Sequence, residues 1–323
     1  MQKRRIGKSE LEVAPLALGG NVFGWTIDEA TSFEILDRFT GAGFNLIDTA
    51  DVYSRWKPGH VGGESETIIG KWQKSRGNRA EIVIATKVGM EMDAERKGLS
   101  RAHILRSVEE SLKRLQTDYI DLYQSHTDDK DTQVEETLEA YSQLVEQGKV
   151  RVIGASNYTA ERLTESLTAS EQKGWPVYQC LQPCYNLYER ADYETNLEQL
   201  CLKSGLGVIP YFSLARGFLT GKYRSEADLS KSARGQGVKK FLNERGFTIL
   251  SALDQLASQL NSTAARIAIA WLIARPSITA PIASATSISQ VDELIEGTRL
   301  KLGSSEIDLL NRASAYEANQ ASS

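Results

Sequence analysis

The stretch SRAHILRSVEESLKRLQTDYIDLYQSH, residues 100–126, contains one repeat of the architecture. Its first part opens on Ser100 and places apolar residues at 104, 105, 108, 112 and 115. That spacing predicts one buried helix face behind an N-cap serine. Its second part, YIDLYQ at 119–124, is a short apolar and aromatic run that predicts a strand. Two polar residues, Ser125 and His126, follow where the chain leaves the sheet.

The same alternation runs along the chain. Further candidate strands are PLALGG (15–20), FNLID (44–48), IVIATK (82–87), VRVIGAS (150–156), VYQCLQ (177–182), GVIPYF (207–212) and ITAPIA (278–283). Near-continuous apolar strands suit a parallel sheet buried on both faces. DEATSFEILDRFTGAG (28–43), VEETLEAYSQLVEQGK (134–149) and ADYETNLEQLCLKSG (191–205) read as amphipathic helices between them. Eight strands, each followed by a helix or a long loop, predict an α/β fold: a closed (β/α)8 TIM barrel, one domain over residues 1–323. Residues 1–14 read as an N-terminal β-hairpin plugging the barrel floor, with GKSE as its turn. Residues 213–246 form a long segment rich in Gly, Ser and basic residues. GSSEIDLLNRASAYEAN (303–319) reads as a C-terminal extra helix across one end.

Composition removes several function classes. A formal charge of −4 over 323 residues lacks the cationic footprint of a nucleic-acid binder. The apolar run IAIAWLIA (267–274) is too short to cross a bilayer, so no membrane partner is expected. MQKRRIGKSELEV has no apolar region behind its basic residues and does not read as a signal peptide. Cys180, Cys184 and Cys201 show no C-x-x-C spacing, and the chain has 3 histidines. We therefore expect no metal and a reducing, cytoplasmic setting.

In such a barrel, chemistry gathers at the C-terminal ends of the strands. Strand two ends on Asp48, with Tyr53 in the next loop. Strand three ends on Lys87, and His126 follows strand four. Singly, each has a structural explanation: a turn cap, a surface phenol, a solvated charge, a carbonyl partner. Leaving three consecutive strands, they converge. Free tyrosine has a pKa of about 10, and a lysine ammonium beside it is expected to lower that value. Asp48 would hold Lys87 charged, and His126 would orient or polarise a carbonyl. The group forms a proton donor without an electron source, so a hydride donor must come from outside the protein.

Asp48, Tyr53, Lys87 and His126, set in NLIDTADVYS, IVIATKVG and DLYQSHTDD, resemble the catalytic tetrad of the aldo-keto reductases. The likeness extends through GKSELEVAPLALGG, GESETIIGKW, KVRVIGASNY and SLARGFLTGKY. It implies a (β/α)8 enzyme that interconverts carbonyls and alcohols with NAD(P)H, using Tyr53 as general acid on a small-molecule carbonyl substrate. Two other readings stay open. One is a nucleotide-sensing regulatory subunit, since channel β-subunits resemble this family. The other is a Schiff-base aldolase using Lys87.

No G-x-G-x-x-G is present; GGNVFG (19–24) has the wrong spacing. The resemblance instead assigns the nicotinamide carboxamide to Ser156, Asn157 and Gln182, and ring stacking to Tyr211. It brings Gly20 and Asn21 close to the adjoining ribose, counts Asp48 among the cofactor-binding residues, and wraps Ser213, Leu214, Arg216, Gly217 and Lys222 around the pyrophosphate. Ser284, Thr286, Gln290 and Glu293 match the polar positions at the adenosine end. NADPH is the family default. NADH stays possible because IASATSISQVDEL (282–294) contains no basic residue, leaving Arg234, Lys239 and Lys240 as candidates to reach a 2′-phosphate. Phe23, Trp25 and Trp56, with Tyr53 and His126, are the expected substrate pocket. Substrate identity, direction and oligomeric state stay open.

Overall fold

A computed structural model describes residues 2–316. The chain opens with β1 (Arg4–Arg5) and β2 (Glu12–Val13), an antiparallel hairpin pairing Arg4 with Val13. The barrel strands follow: β3 (Ala17–Gly19), β4 (Leu46–Asp48), β5 (Val83–Val88), β6 (Ile120–Ser125), β7 (Val150–Ser156), β8 (Cys180–Gln182), β9 (Gly207–Val208) and β10 (Ile282–Ala283). They pair in parallel in the order β10-β3-β4-β5-β6-β7-β8-β9. The remaining seam closes just before β10. Val208 bridges Ile278, Thr279 N donates to Val208 O at 2.8 Å, and Ile282 N donates to Pro210 O at 2.9 Å. The result is the expected (β/α)8 barrel, with all eight strands at their predicted places.

Several strands are shorter than the apolar runs that predicted them, and proline is one reason. GVIPYF forms a regular ladder with β8 only over Gly207–Val208, because Pro183, next after β8, has no N–H to return to Ile209 O. Pairing resumes as isolated contacts, such as Tyr211 N to Pro183 O at 2.9 Å.

The outer layer comprises α1 (Glu29–Gly41), α2 (Glu64–Arg76), α3 (Arg101–Leu115), α4 (Val134–Glu146), α5 (Ala160–Lys173), α6 (Glu198–Ser204), α7 (Glu244–Gln259), α8 (Ala264–Ala274), α9 (Ile288–Arg299) and α10 (Ser304–Ala313). Their starts are written in the sequence. Asp28, Ser100, Thr159, Asn243, Thr263 and Ser287 each accept a backbone N–H from the first turn. A π-helical turn, Tyr193–Leu197, precedes α6, so ADYETNLEQLCLKSG is not one uniform helix. The irregular stretch after β9 holds three 3₁₀ turns, Ala215–Thr220, Glu226–Lys231 and Gly235–Phe241. The final helix packs on α7, and Trp271 of α8 donates to its Asn311 at 3.0 Å. It packs on the outer helix layer and also meets the loop after β8, where Arg190 donates to Asn311 O at 3.0 Å and to Ser314 Oγ at 2.7 Å. The tail beyond residue 316 lies outside the described residues. Among those described, no helix is long and apolar enough to cross a membrane; IAIAWLIA falls within the largely buried α8.

The barrel interior is layered. Leu46, Val83, Ala85, Leu122, Cys180 and Ile282 fill its lower levels, and the hairpin closes the floor with Ile6, Leu11 and Val13. Two residues further along β4, β5, β6 and β8, the side chains are Asp48, Lys87, Gln124 and Gln182, all buried. The period of two along each strand places these polar groups on the same inward face as the apolar ones below. Gly154 of β7 makes room for them. A Cβ there would sit 3.1 Å from both Gln124 Cγ and Cys180 Cβ. Gly154→Val is expected to overpack this level and destabilise the protein by about 1–3 kcal/mol. Thermal and chemical unfolding check this; a variant as stable as the wild type would refute the packing account.

Candidate active site

Lys87 is fully buried at the end of β5. Its Nζ lies 2.8 Å from Asp48 Oδ1 and donates to Asp48 Oδ2 at 2.9 Å, to Thr49 O at 2.8 Å and to Tyr53 Oη at 3.1 Å. Asp48 also accepts Gln182 Nε2 at 2.9 Å, so its carboxylate is held from two sides. Tyr53 returns to this pair because the loop after β4 is pinned. Thr49 N and Asp51 N bond the carbonyls of Ala85 and Lys87. Ser54, with φ of 73°, donates its hydroxyl to Phe23 O at 2.7 Å.

His126 leaves β6 with its backbone N bonded to Val88 O at 2.8 Å, and its ring centroid lies 5.9 Å from that of Tyr53. Burial, then the charge of Lys87, pulls the imidazole well below its ordinary pKa, so it is neutral near pH 7. Its Nδ1 is buried with no hydrogen-bond partner among the described residues.

One expectation is reversed. Burial, followed by the Asp48 charge, holds the Tyr53 phenol well above its ordinary range. Proximity to Lys87 does not make it a strong acid, because Asp48 neutralises that lysine and the site is desolvated. Tyr53 keeps its proton.

Asp48, Tyr53 and His126 form one end of a cavity of about 1220 Å³ over the barrel mouth, with Lys87 behind them. Trp25 and Trp56 stand beside Tyr53, their ring centroids 5.4 Å apart and nearly perpendicular. Phe23 is different: it is fully buried in the core between barrel and helices, and does not line the cavity. Gly20 is also turned away. A Cβ on it would meet Ser65 Oγ at 2.9 Å, while the neighbouring Gly19 and Asn21 line the cavity.

Ser156, Asn157, Gln182 and Tyr211 form the next stretch of wall. Ser156 Oγ donates to Gln182 O at 2.8 Å. Asn157, with φ of 56°, donates to His126 O at 2.9 Å and accepts Tyr211 Oη at 2.7 Å. Ser213, Leu214, Arg216, Gly217 and Lys222 continue the wall, and Ser284, Thr286, Gln290 and Glu293 border its far part. Glu293 is already committed: Arg266 binds it at 2.8 Å and the Thr263 hydroxyl donates to its other oxygen.

Charge is sorted by direction in the segment after β9. Arg224, Lys231, Lys239 and Lys240 pair with Asp254, Asp228, Glu226 and Glu189. Lys239 and Lys240 are therefore engaged by acids and do not line the cavity. Arg216, Lys222 and Arg234 do line it, and none pairs with a carboxylate among the described residues. Arg234 crosses the mouth to Asn21 Oδ1 at 3.2 Å, and its guanidinium lies 5.6 Å from the Trp25 ring centre.

Sequence reasoning did not single out Met90, Thr127, Phe212 or Thr263, all of which line the cavity. Met90 and Thr127 follow the two strands that carry Lys87 and His126, and Thr263 is the N-cap of α8, so position relative to these elements is the signal.

The model of the Aldo/keto reductase family matches residues 15–315. The chain belongs to the aldo/keto reductase family. Among its relatives, "Uncharacterized oxidoreductase YrpG" of Bacillus subtilis (strain 168) is 34% identical, over 96% of this chain and 95% of its own. "Aldo-keto reductase YhdN" of the same organism is 33% identical, over 93% and 88%. "Probable voltage-gated potassium channel subunit beta" of Arabidopsis thaliana is 34% identical, over 91% and 90%. This aldo/keto reductase is therefore an oxidoreductase, of a family that works with NAD(P)H on small carbonyl compounds.

Behind the tetrad lies a carboxyl with an unusual environment. Asp51 is buried, and neither of its oxygens has a partner among the described residues. Nearby Glu66 is held by Thr86 at 2.5 Å and Arg114 at 2.7 Å. Burial first, then the charge of Glu66, pushes Asp51 up to about 8 from 3.8. Between these values the folded protein keeps a proton that the unfolded chain releases, so stability falls as pH rises through that window. Asp51→Asn removes the dependence. Its Tm is expected to exceed that of the wild type at pH 7, with a gap that shrinks toward pH 4. A pH-independent difference in Tm would contradict the assignment.

Proposed function

We propose that this protein is an NADPH-dependent carbonyl reductase, or the corresponding alcohol dehydrogenase, with Tyr53 as general acid. The observation that carries this reading is one cavity with two unlike ends. Asp48, Tyr53 and His126 stand at one end with Lys87 behind them, and Arg216, Lys222 and Arg234 lie along its length without acidic partners among the described residues. Uncompensated cations around a deep groove fit a polyphosphate ligand, and groove size fits a dinucleotide with room for a small substrate.

The bound cofactor supplies hydride. Ser156, Asn157 and Gln182 would hold its carboxamide and Tyr211 would lie against its ring. Asn21 would adjoin the ribose, and Asp48 borders the same groove. Ser213, Leu214, Arg216, Gly217 and Lys222 bind the pyrophosphate. Ser284, Thr286 and Gln290 border the adenosine, and Arg234 is the basic residue available for a 2′-phosphate. Trp25, Trp56, Tyr53 and His126 shape the substrate end. The three cysteines are free thiols, which suits the reducing, cytoplasmic setting expected of the chain.

The high pKa of Tyr53 is compatible with its role. A phenol that stays protonated is a donor available over a wide pH range, and a carbonyl oxygen gaining negative charge becomes a far stronger base than the ground-state carbonyl. Lys87, donating to Tyr53 Oη, stabilises the phenolate left behind, and Asp48 fixes Lys87. Neutral His126 orients the carbonyl by hydrogen bonding. Tyr53→Phe is expected to lower kcat by about 10²–10⁴-fold while NADPH binding persists. Full turnover in that variant would remove Tyr53 from the mechanism.

The aldolase reading is disfavoured by the bonds of Lys87. Burial lowers the pKa of Lys87 and Asp48 opposes that shift; three acceptors satisfy the protonated form, and an ammonium has no lone pair for a carbonyl carbon. A nucleotide-sensing subunit of the channel β type draws on the plant relative, and would bind the cofactor without turning over an aldehyde panel. Titration by fluorescence quenching tests cofactor choice. NADPH is expected to bind more tightly than NADH, and Arg234→Met to erode that preference. Equal affinities in the wild type would refute the NADPH assignment.

A further inference from the structure

The segment that carries Arg216 is held in a conformation that L-residues disfavour. Phe212, Ala215 and Arg216 have φ of 55°, 47° and 58°. Such a run persists only where surrounding bonds over-determine it. One of those bonds comes from Asn186, in the loop after β8. Asn186 is fully buried and does not line the cavity. Its Nδ2 donates to Phe212 O at 3.0 Å and to Glu189 Oε2 at 2.9 Å. Its Oδ1 accepts the backbone N–H groups of Tyr188 at 2.8 Å and Glu189 at 2.9 Å. All four hydrogen-bonding positions of the amide are used.

Glu189 extends the connection. Its second oxygen accepts Lys240 Nζ at 2.6 Å, from the turn at Gly235–Phe241. That turn also abuts Arg216: a Cβ on Gly237 would lie 3.1 Å from Arg216 Cδ. The Arg216 guanidinium in turn rests 4.1 Å from the centre of the Phe212 ring. One amide and one carboxylate thus tie together the loop after β8, the start of the segment after β9, and the turn beyond it.

We propose that Asn186 is a positioning residue for cofactor binding. It fixes Phe212, and through Phe212 and Glu189 it sets where Arg216 stands, although it never meets the ligand itself. This rests on the reading of the cavity as a dinucleotide site. Asn186→Asp keeps the shape of the side chain, removes both donors and places a second carboxylate against Glu189.

The test measures NADPH affinity by tryptophan quenching, together with steady-state kinetics on an aldehyde at saturating NADPH. The dissociation constant is expected to rise about tenfold or more, with kcat at saturation within about twofold of wild type. That split marks positioning of the binding segment, because general loosening of the fold would lower kcat as well. An unchanged dissociation constant, or a loss confined to kcat, overturns the proposal. Wild-type protein that binds neither NADPH nor NADH overturns the dinucleotide reading itself, a result visible without any variant. If Asn186→Asp does not fold, Glu189→Ala carries the test. It removes the Asn186 and Lys240 contacts together, and is expected to weaken NADPH by about threefold or more; unchanged affinity there also overturns the proposal.

Discussion

The ion pair between Lys87 and Asp48 is the contact on which the site depends. Both groups are buried at the top of the barrel, where an unpaired charge is costly. Removing one partner of such a pair typically costs about 3–5 kcal/mol, so each residue requires the other. Lys87 meets this demand with three acceptors, and one of them is the Tyr53 hydroxyl. The buried ion pair and the placement of the Tyr53 hydroxyl are therefore joined at one nitrogen. The same desolvation that makes the pair demanding keeps Tyr53 protonated and His126 neutral.

The barrel makes that arrangement affordable by confining polarity to one level. Below Asp48, Lys87, Gln124 and Gln182 the interior is apolar and stoppered by the hairpin. At the polar level Gln182 donates to Asp48, and its amide also lies 3.3 Å from Gln124 Oε1, while Gln124 Nε2 has no partner among the described residues. The missing side chain at Gly154 supplies the space for Gln124. The period-two geometry of the strands converts a change of residue type along each strand into a change of layer across the whole barrel.

Outside the barrel top, the segment after β9 separates charges by facing. Basic residues with acidic partners and basic residues without them alternate along about two dozen positions, and only the unpartnered ones turn inward. Their arrangement relies on left-handed backbone at Phe212, Ala215 and Arg216, held by contacts from the loop after β8. The cavity is thus built by neighbouring strand-end loops acting on each other.

Much of this protein is legible in its sequence because it is periodic or local. Alternating strands and helices, N-caps such as Ser100 and Asp28, and polar residues at strand ends each follow from nearest neighbours, so the barrel and the tetrad could be read from residue type and position. Tertiary structure alone decided the rest. Whether Phe23 or Trp25 faces the cavity depends on how one turn packs against α2. Whether Lys240 or Arg234 faces the groove depends on acids such as Glu189, distant in the chain. The direction of the Tyr53 shift depends on burial and on Asp48 together, quantities that no local pattern encodes. Desolvation and long-range charge pairing belong to the folded environment, and residue order shows only which groups are available to enter it.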